Sequence, residues 1–283
     1  AMLEALSEYI GISTERVGLL ERITQQNRTL ARQAKDLKEA LTELESQNEI
    51  IEKQNQKFID ELSKAVEFQK SLLPEEFPAL EKICFEASYS PSSQLGGDFY
   101  DVFRLTEDRV AFVLADASGH GVTAAMLSAM FKMTLRKYAF ATDDPSRVLT
   151  QLNHDFCSVL QMGEFFTAFY AIFDLSTREL SYCNAAHPYP LLFDYSAKQV
   201  QELETDGFLL GIMEEGITFE TKRVKIAERA RLIVFTDGLT EAANAAGTLY
   251  GSIRLKNDLK HLQELPADEF ISAVCRDLSR FTE

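Results

Sequence analysis

From Arg16 to Leu73 the chain contains no proline and, after Gly18, no glycine, and its apolar residues recur with a seven-residue period. With position a set at Leu20, the d column reads Ile23, Leu30, Leu37, Leu44, Ile51, Phe58, Ala65 and Leu72. The a column is mixed: Leu20, Asn27, Ala34, Leu41, Asn48, Asn55, Leu62 and Gln69. A d column this apolar predicts a coiled-coil helix over 16–73. Asparagine at a pairs best across a parallel two-stranded interface, so a parallel homodimer is expected. The e and g positions are mostly neutral (Gln26, Gln33, Ala40, Gln47, Gln54), so charge pairing contributes little to partner choice. At 1.5 Å per residue the segment would reach about 85 Å, too long for an ordinary core helix folded back on its own domain. The polar and small seam residues suggest a marginal coil that an input could shift, although a rigid spacer would carry the same pattern.

Pro74 and Pro78 stop the helix, and the period then changes. KICFEASYSPSS, FYDVFRL, RVAFVLAD, TAFYAIFDL, ELSYCNAA, YPLLFDYS, TFETKRVKI and RLIVFTD read as strands rich in aromatic and β-branched residues. Helical patterns lie between His120 and Phe140, from Pro145 to Leu160, and from Ala267 to Phe281. DLSTREL and DYSAKQV have the length of hairpin turns. The expected fold is therefore α+β, an antiparallel β-sandwich flanked by helices. Three segments are expected: 1–15 as the possible tail of an upstream sensor or receiver domain, 16–73 as the coil, and 74–283 as the globular domain.

A net charge of −15 argues against nucleic acid, whose backbone calls for Lys and Arg, and an acidic surface is unhelpful at an anionic membrane. No apolar run reaches membrane-spanning length, and the N-terminus lacks the features of a signal peptide, so a cytoplasmic protein is expected. Cys84, Cys157, Cys183 and Cys275 show no CxxC spacing and read as buried free thiols.

Three aspartates carry the chemistry. Asp98 follows Gly96-Gly97, Asp116 ends the strand RVAFVLAD, and Asp237 is read as ending RLIVFTD, just before Gly238. Clustered carboxylates repel one another unless cations hold them, and oxygen ligands without His or Cys point to Mg2+ or Mn2+ rather than zinc. Two such ions can hold a phosphate and ionise a water for attack. Any one of these motifs alone is more often a turn than a ligand.

The ordered blocks GGDFYD, LADASGHGVTAAM, NAAHPYPLL and FTDGLTEAAN resemble the PPM-type metal-dependent serine/threonine phosphatases, in their bacterial SpoIIE-like branch. The resemblance runs from about Gln69 onward, and SLLPEEFP is similar to the branch's usual domain start. It implies that Asp98, Asp116 and Asp237 are the catalytic, metal-holding acids, with Asp116 bridging two Mn2+ or Mg2+ ions and the Ala117 carbonyl completing one shell. It also implies hydrolysis of phosphoserine or phosphothreonine on a regulatory protein, such as an anti-sigma-factor antagonist, without a covalent intermediate. His120 is read first as solvent-facing and second as a donor to the leaving group. Asn184 and His187 are read as an ordered turn, and Thr236 and Asn244 as support behind the metal shell. The branch also implies a final strand with an Asp-Asp-x-Thr block, which does not follow RFTE here; Asp237 is then expected to hold its ion weakly. The alternatives are a non-catalytic coiled-coil partner-binding protein with the same fold and, more weakly, an enzyme acting on a small phosphomonoester.

Overall fold

The computed structural model describes residues 2–91 and 94–283, and of residues 3–13 and 15 the backbone alone. The chain divides into two compact units, one ending at Ser63 and the other spanning Lys64–Glu283. Helix α1 (Met2–Leu72) is a single run of 71 residues. The stretch read as the tail of an upstream domain lies in this helix, and its side chains fall almost wholly outside the described residues. Along α1 the seam residues Leu20, Ile23, Leu30, Leu37, Leu41, Leu44, Ile51 and Phe58 are all near half exposed or more, so the apolar stripe is uncovered on this chain. Exposed side chains of this size in a regular row are what an association surface looks like before association.

The second unit is layered. Its larger sheet contains β1 (Phe99–Arg104), β2 (Arg109–Ala117), β3 (Phe166–Asp174), β4 (Glu179–Ala185) and β7 (Lys222–Lys225), in the order β1-β2-β3-β4-β7. The smaller one contains β5 (Leu191–Asp194), β6 (Gln199–Glu202) and β8 (Ala230–Ile233), in the order β6-β5-β8. Every pairing is antiparallel. Helices α2 (Val122–Ala139) and α3 (Pro145–Val159) cover the outer face of the larger sheet. On the far side of the smaller sheet, Leu191 and Phe193 of β5 pack with residues of α5 (Gly251–His261) and α6 (Ala267–Thr282). The expected sandwich and its three helical patterns are all present.

Strand alternation sorts the core into layers. In β2, Ala111, Val113, Ala115 and Ala117 face α2 and α3, while Phe112 packs with Phe169, Leu180, Tyr182 and Leu192 between the sheets. The outer layer is aromatic at its centre: Phe131 of α2 stands 5.1 Å from Phe166 and 5.7 Å from Phe156, ring centre to ring centre. Asp101 of β1 also faces the helices. It is 1% exposed and takes both the Nε and Nη2 of Arg136, at 3.1 and 2.9 Å. Arg136 in turn lies over the Phe103 ring at 4.9 Å.

Some expectations are corrected. The stretch 84–91 forms no ladder, and Ser92 and Ser93 lie outside the described residues. Its Phe85 packs instead near the rings of Phe77 and Phe112, so aromatic content there serves packing without strand pairing. Helix α5 and strand β6 were not anticipated. The short QVQE of β6 has no apolar alternation but is brought to β5 by the turn whose backbone Asp194 caps through Ser196 and Ala197. All four cysteines are free, but only Cys183 is buried, and Cys84 is exposed.

Truncating Phe131, which is 0% exposed, leaves a cavity among rings that cannot close over it. Phe131→Ala is expected to lower stability by about 3–5 kcal/mol, read from urea unfolding of the full chain. A loss under about 1 kcal/mol would mean that this layer repacks freely.

Candidate active site

Register brings the first two acids together. Phe99 pairs with Ala115 across β1 and β2, so the same register carried one step further sets Asp98 opposite Asp116. The step is real: Ala117 N donates to Gly97 O at 3.2 Å, continuing the ladder past the end of β1. Parity puts both carboxylates on the face between the two sheets, the face that also carries Phe112. Asp101, three residues after Asp98, points the other way, to Arg136.

Asp237 comes from the other sheet. Strand β8 stops at Ile233, and Asp237 opens a four-residue helical turn, α4 (Asp237–Thr240), so it does not end a strand as expected. The reason lies in the turn itself: Leu239 N bonds to Thr236 O and Glu241 N to Asp237 O, which curls TDGLTE away from the ladder. Thr236, just before it, donates its hydroxyl to Asp98 Oδ2 at 3.2 Å and so ties the two sheets together at the site.

The electrostatics are those of like charges held close. Burial first, and then the charges of Asp98 and Asp237, push the Asp116 carboxyl up to about 7. Asp98 is also raised, by burial above all and less by Asp237, against the lowering effect of the Thr236 hydroxyl. Directly opposed like charges are destabilising in a sheet, and among the described residues no cationic side chain offsets them here. Among the described residues no three Asp, Glu, His or Cys side chains close round one point. The arrangement is two adjacent carboxylates with Asp237 acting on them through its charge.

Backbone oxygen completes the donor set. A Cβ on Gly97 would lie 2.4 Å from Ala117 O and 3.0 Å from Asp116 Oδ1, so only glycine lets this strand approach the acids. Gly119 and Gly121, at φ 89° and 81°, turn the chain from β2 into α2. All-oxygen donors with surplus negative charge suit a hard divalent cation, and they fit Mn2+ or Mg2+. Holding such an ion would fall to Asp98, Asp116 and Asp237 with the Ala117 carbonyl.

The remaining expected residues separate. His120 is exposed, as its first reading held. Asn184 and His187 form an ordered turn: His187 N donates to Asn184 Oδ1 at 2.7 Å, Asn184 Nδ2 donates to His187 O at 2.9 Å, and Ala186 takes φ 54°. Asn244 spends its side-chain oxygen on the amides of Ala246 and Thr248, so it holds its own turn. Two groups beside the acids were missed. Tyr89 places its hydroxyl 2.9 Å from where a Gly96 Cβ would sit, and burial followed by the Asp98 charge raises it to about 12. Ser128, on the face of α2 that the small residues keep close to the sheet, donates to Gly97 O at 2.7 Å. Neither stands in a block of acids, and only the close packing of glycine backbone pointed toward them.

A helix-covered antiparallel sandwich with facing acids at one end of its interior is the fold of the PP2C-type phosphatases. The SiaA PP2C domain of Pseudomonas aeruginosa superimposes with a TM-score of 0.69 at 21% identity, over 81% of this chain and 92% of that one. The sequence profile of the Stage II sporulation protein E (SpoIIE) family matches residues 106–283, and the chain belongs to that family. Protein IcfG of Synechocystis is 30% identical over 226 residues, covering 70% of this chain and 35% of the relative. Phosphoserine phosphatase RsbP of Bacillus subtilis is 29% identical over 185 residues, covering 64% of this chain and 45% of the relative. The chain thus spans less than half the length of either. Asp116 and Asp237 lie inside the profile match, and Asp98 lies ahead of it. No helix among the described residues is long and apolar enough to cross a membrane.

Burial pushes the His187 imidazole down to about 3, against a smaller opposing effect of the Phe235 main chain. Its Nδ1 lies 2.8 Å from the Thr167 hydroxyl. The folded state therefore takes up this proton later than the unfolded chain, whose histidine titrates near 6.5. The stability held by neutral His187 is complete above about 6.5 and drains as pH falls toward about 3. His187→Gln is expected to flatten this acid limb in urea midpoints measured between pH 7 and 5; an unchanged slope would place the acid sensitivity elsewhere.

Proposed function

We propose that this chain is a Mn2+- or Mg2+-dependent phosphatase that removes phosphate from serine or threonine of a regulatory protein, and that it works as a parallel dimer through 16–73. One observation carries the reading: Asp98 stands opposite Asp116 on neighbouring strands, with Asp237 brought from the other sheet. Membership of the SpoIIE family and the similarity to a phosphoserine phosphatase support it. An anti-sigma-factor antagonist is the substrate class the family resemblance favours. When bound, a pair of divalent ions would supply charge neutralisation for the phosphate and an acidified water.

The chain's own residues do the rest. Asp116 and the Ala117 carbonyl sit on one rigid strand between two others, so these donors are held in place by ladder hydrogen bonds on both sides. Thr236 fixes the orientation of Asp98 by donating to its Oδ2. The exposure of Asp237 and His120 keeps this end of the sandwich open to a protein-borne phosphate. Repulsion among the acids makes the site bind cations rather than a phosphate alone.

The direct test is phosphate release from a phosphoserine peptide and from p-nitrophenyl phosphate, with and without Mn2+. Turnover is expected only with the metal, and Asp116→Asn is expected to lose more than about 100-fold, the upper end of what outer-shell changes cost. Metal-independent turnover, or full activity in Asp116→Asn, would sink the assignment. Absence of turnover under every divalent ion, with a partner still bound, would instead favour a non-catalytic protein.

The dimer rests on the exposed d residues from Ile23 to Phe58 of α1, and Asn27, Asn48 and Asn55 favour two parallel strands. Sedimentation equilibrium of the full chain is expected to give twice the chain mass, and Leu37→Asp with Leu44→Asp to give one. A monomer before substitution would remove the coil from the proposal.

A further inference from the structure

Gln69 is 5% exposed, in the last turn of α1, and its amide makes two bonds to one residue. Nε2 donates to Gly96 O at 2.6 Å, and Oε1 accepts from Gly96 N at 3.3 Å. A single side chain thus satisfies both main-chain groups of Gly96, as a neighbouring strand would. The stretch 95–97 is held from other sides as well. Gly97 O accepts from Ser128 Oγ at 2.7 Å and from Ala117 N at 3.2 Å, and Leu95 O accepts from Gly121 N at 3.3 Å. Space round Gly96 is closed: a Cβ there would meet Pro91 Cβ and Tyr89 Oη, each at 2.9 Å. The helix end that carries Gln69 is itself anchored, since Lys132 Nζ donates to Leu72 O.

Two consecutive glycines have no side chains to pin them and lose more backbone freedom on ordering than any other pair. Asp98 follows directly, and its position opposite Asp116 depends on where Gly96 and Gly97 are held. We infer that Gln69 is a positioning residue for Asp98: through the Gly96 backbone, the last turn of α1 sets the cation-holding geometry. The inference rests on the reading of Asp98 as a cation-holding acid. Gln69 touches no reacting atom and acts only through the loop. Its neighbours in the helix cannot replace it, because neither Phe68 nor Lys70 offers a donor and an acceptor on one group.

The test uses the full chain and Mn2+ alone as the probe. Calorimetric titration compares the unsubstituted protein with Gln69→Ala, Gln69→Met and Asp98→Asn. Gln69→Met keeps the volume and the aliphatic stem and removes only the amide. Both Gln69 variants are expected to weaken Mn2+ binding roughly 10- to 100-fold, as loss of a group orienting a ligand does elsewhere. In metal-free protein, amide hydrogen exchange at Gly96–Asp98 is expected to speed up in Gln69→Met while exchange in β3 stays as it was. If Asp98→Asn weakens Mn2+ binding and neither Gln69 variant does, the inference fails and Gln69 only packs the helix end. If Asp98→Asn leaves the affinity unchanged, or the unsubstituted protein binds no Mn2+, the reading of Asp98 itself fails and takes the inference with it.

Discussion

Antiparallel register forces two carboxylates to face each other across neighbouring strands, and the rest of the domain is arranged round that repulsion. Burial and repulsion among the acids push both the Asp98 and the Asp116 carboxyl up, and no cationic side chain among the described residues offsets this at either acid. What the fold supplies is rigidity. Asp116 sits on a nine-residue strand bonded on both sides, Asp98 is tied to the second sheet by Thr236, and glycine at 97 lets the main chain come within reach of Ala117 O. The proposed divalent cation would relieve that repulsion.

Much of this was legible in the residues. A two-residue period with aromatic and β-branched content gave most of the strands, because sandwich strands have two distinct faces and the alternation records them. The same parity separates Asp98 from Asp101: counted along FYDVF, one faces the sheet interior and the other the helix layer, where Arg136 meets it. The order of the acidic blocks pointed to Asp98, Asp116 and Asp237, and the register of β1 and β2 sets the first two opposite each other.

Other parts had no local signal. Asp237 follows RLIVFT, an uninterrupted strand-forming run, yet the strand ends at Ile233 because the TDGLTE turn makes its own helical bonds. Residues 84–91 have the composition of a strand and no ladder partner; their rings pack on Phe77, Phe112 and Tyr100. Strand β6 has the opposite character, pairing without apolar alternation because the hairpin turn brings it to β5. Tertiary supply of a partner, or its absence, decides such segments. Gln69 was visible only as a blemish in a heptad column, and its two bonds to a residue 27 positions away could not be read from spacing.

That blemish has a consequence for chain length. The heptad frame gives Gln69 an a position, the same as Leu62, but its side chain is already committed to Gly96. In the proposed dimer the pairing seam would therefore hand over to the loop between those two residues. Because each helical residue turns the side-chain direction by about 100°, the count of residues between seam and loop is a phase as well as a distance. In the proposed coil, adding whole heptads nearly preserves that phase, whereas two or five added residues after Leu62, about 200° or 500° of rotation, would turn the seam and the Gly96 contact out of step.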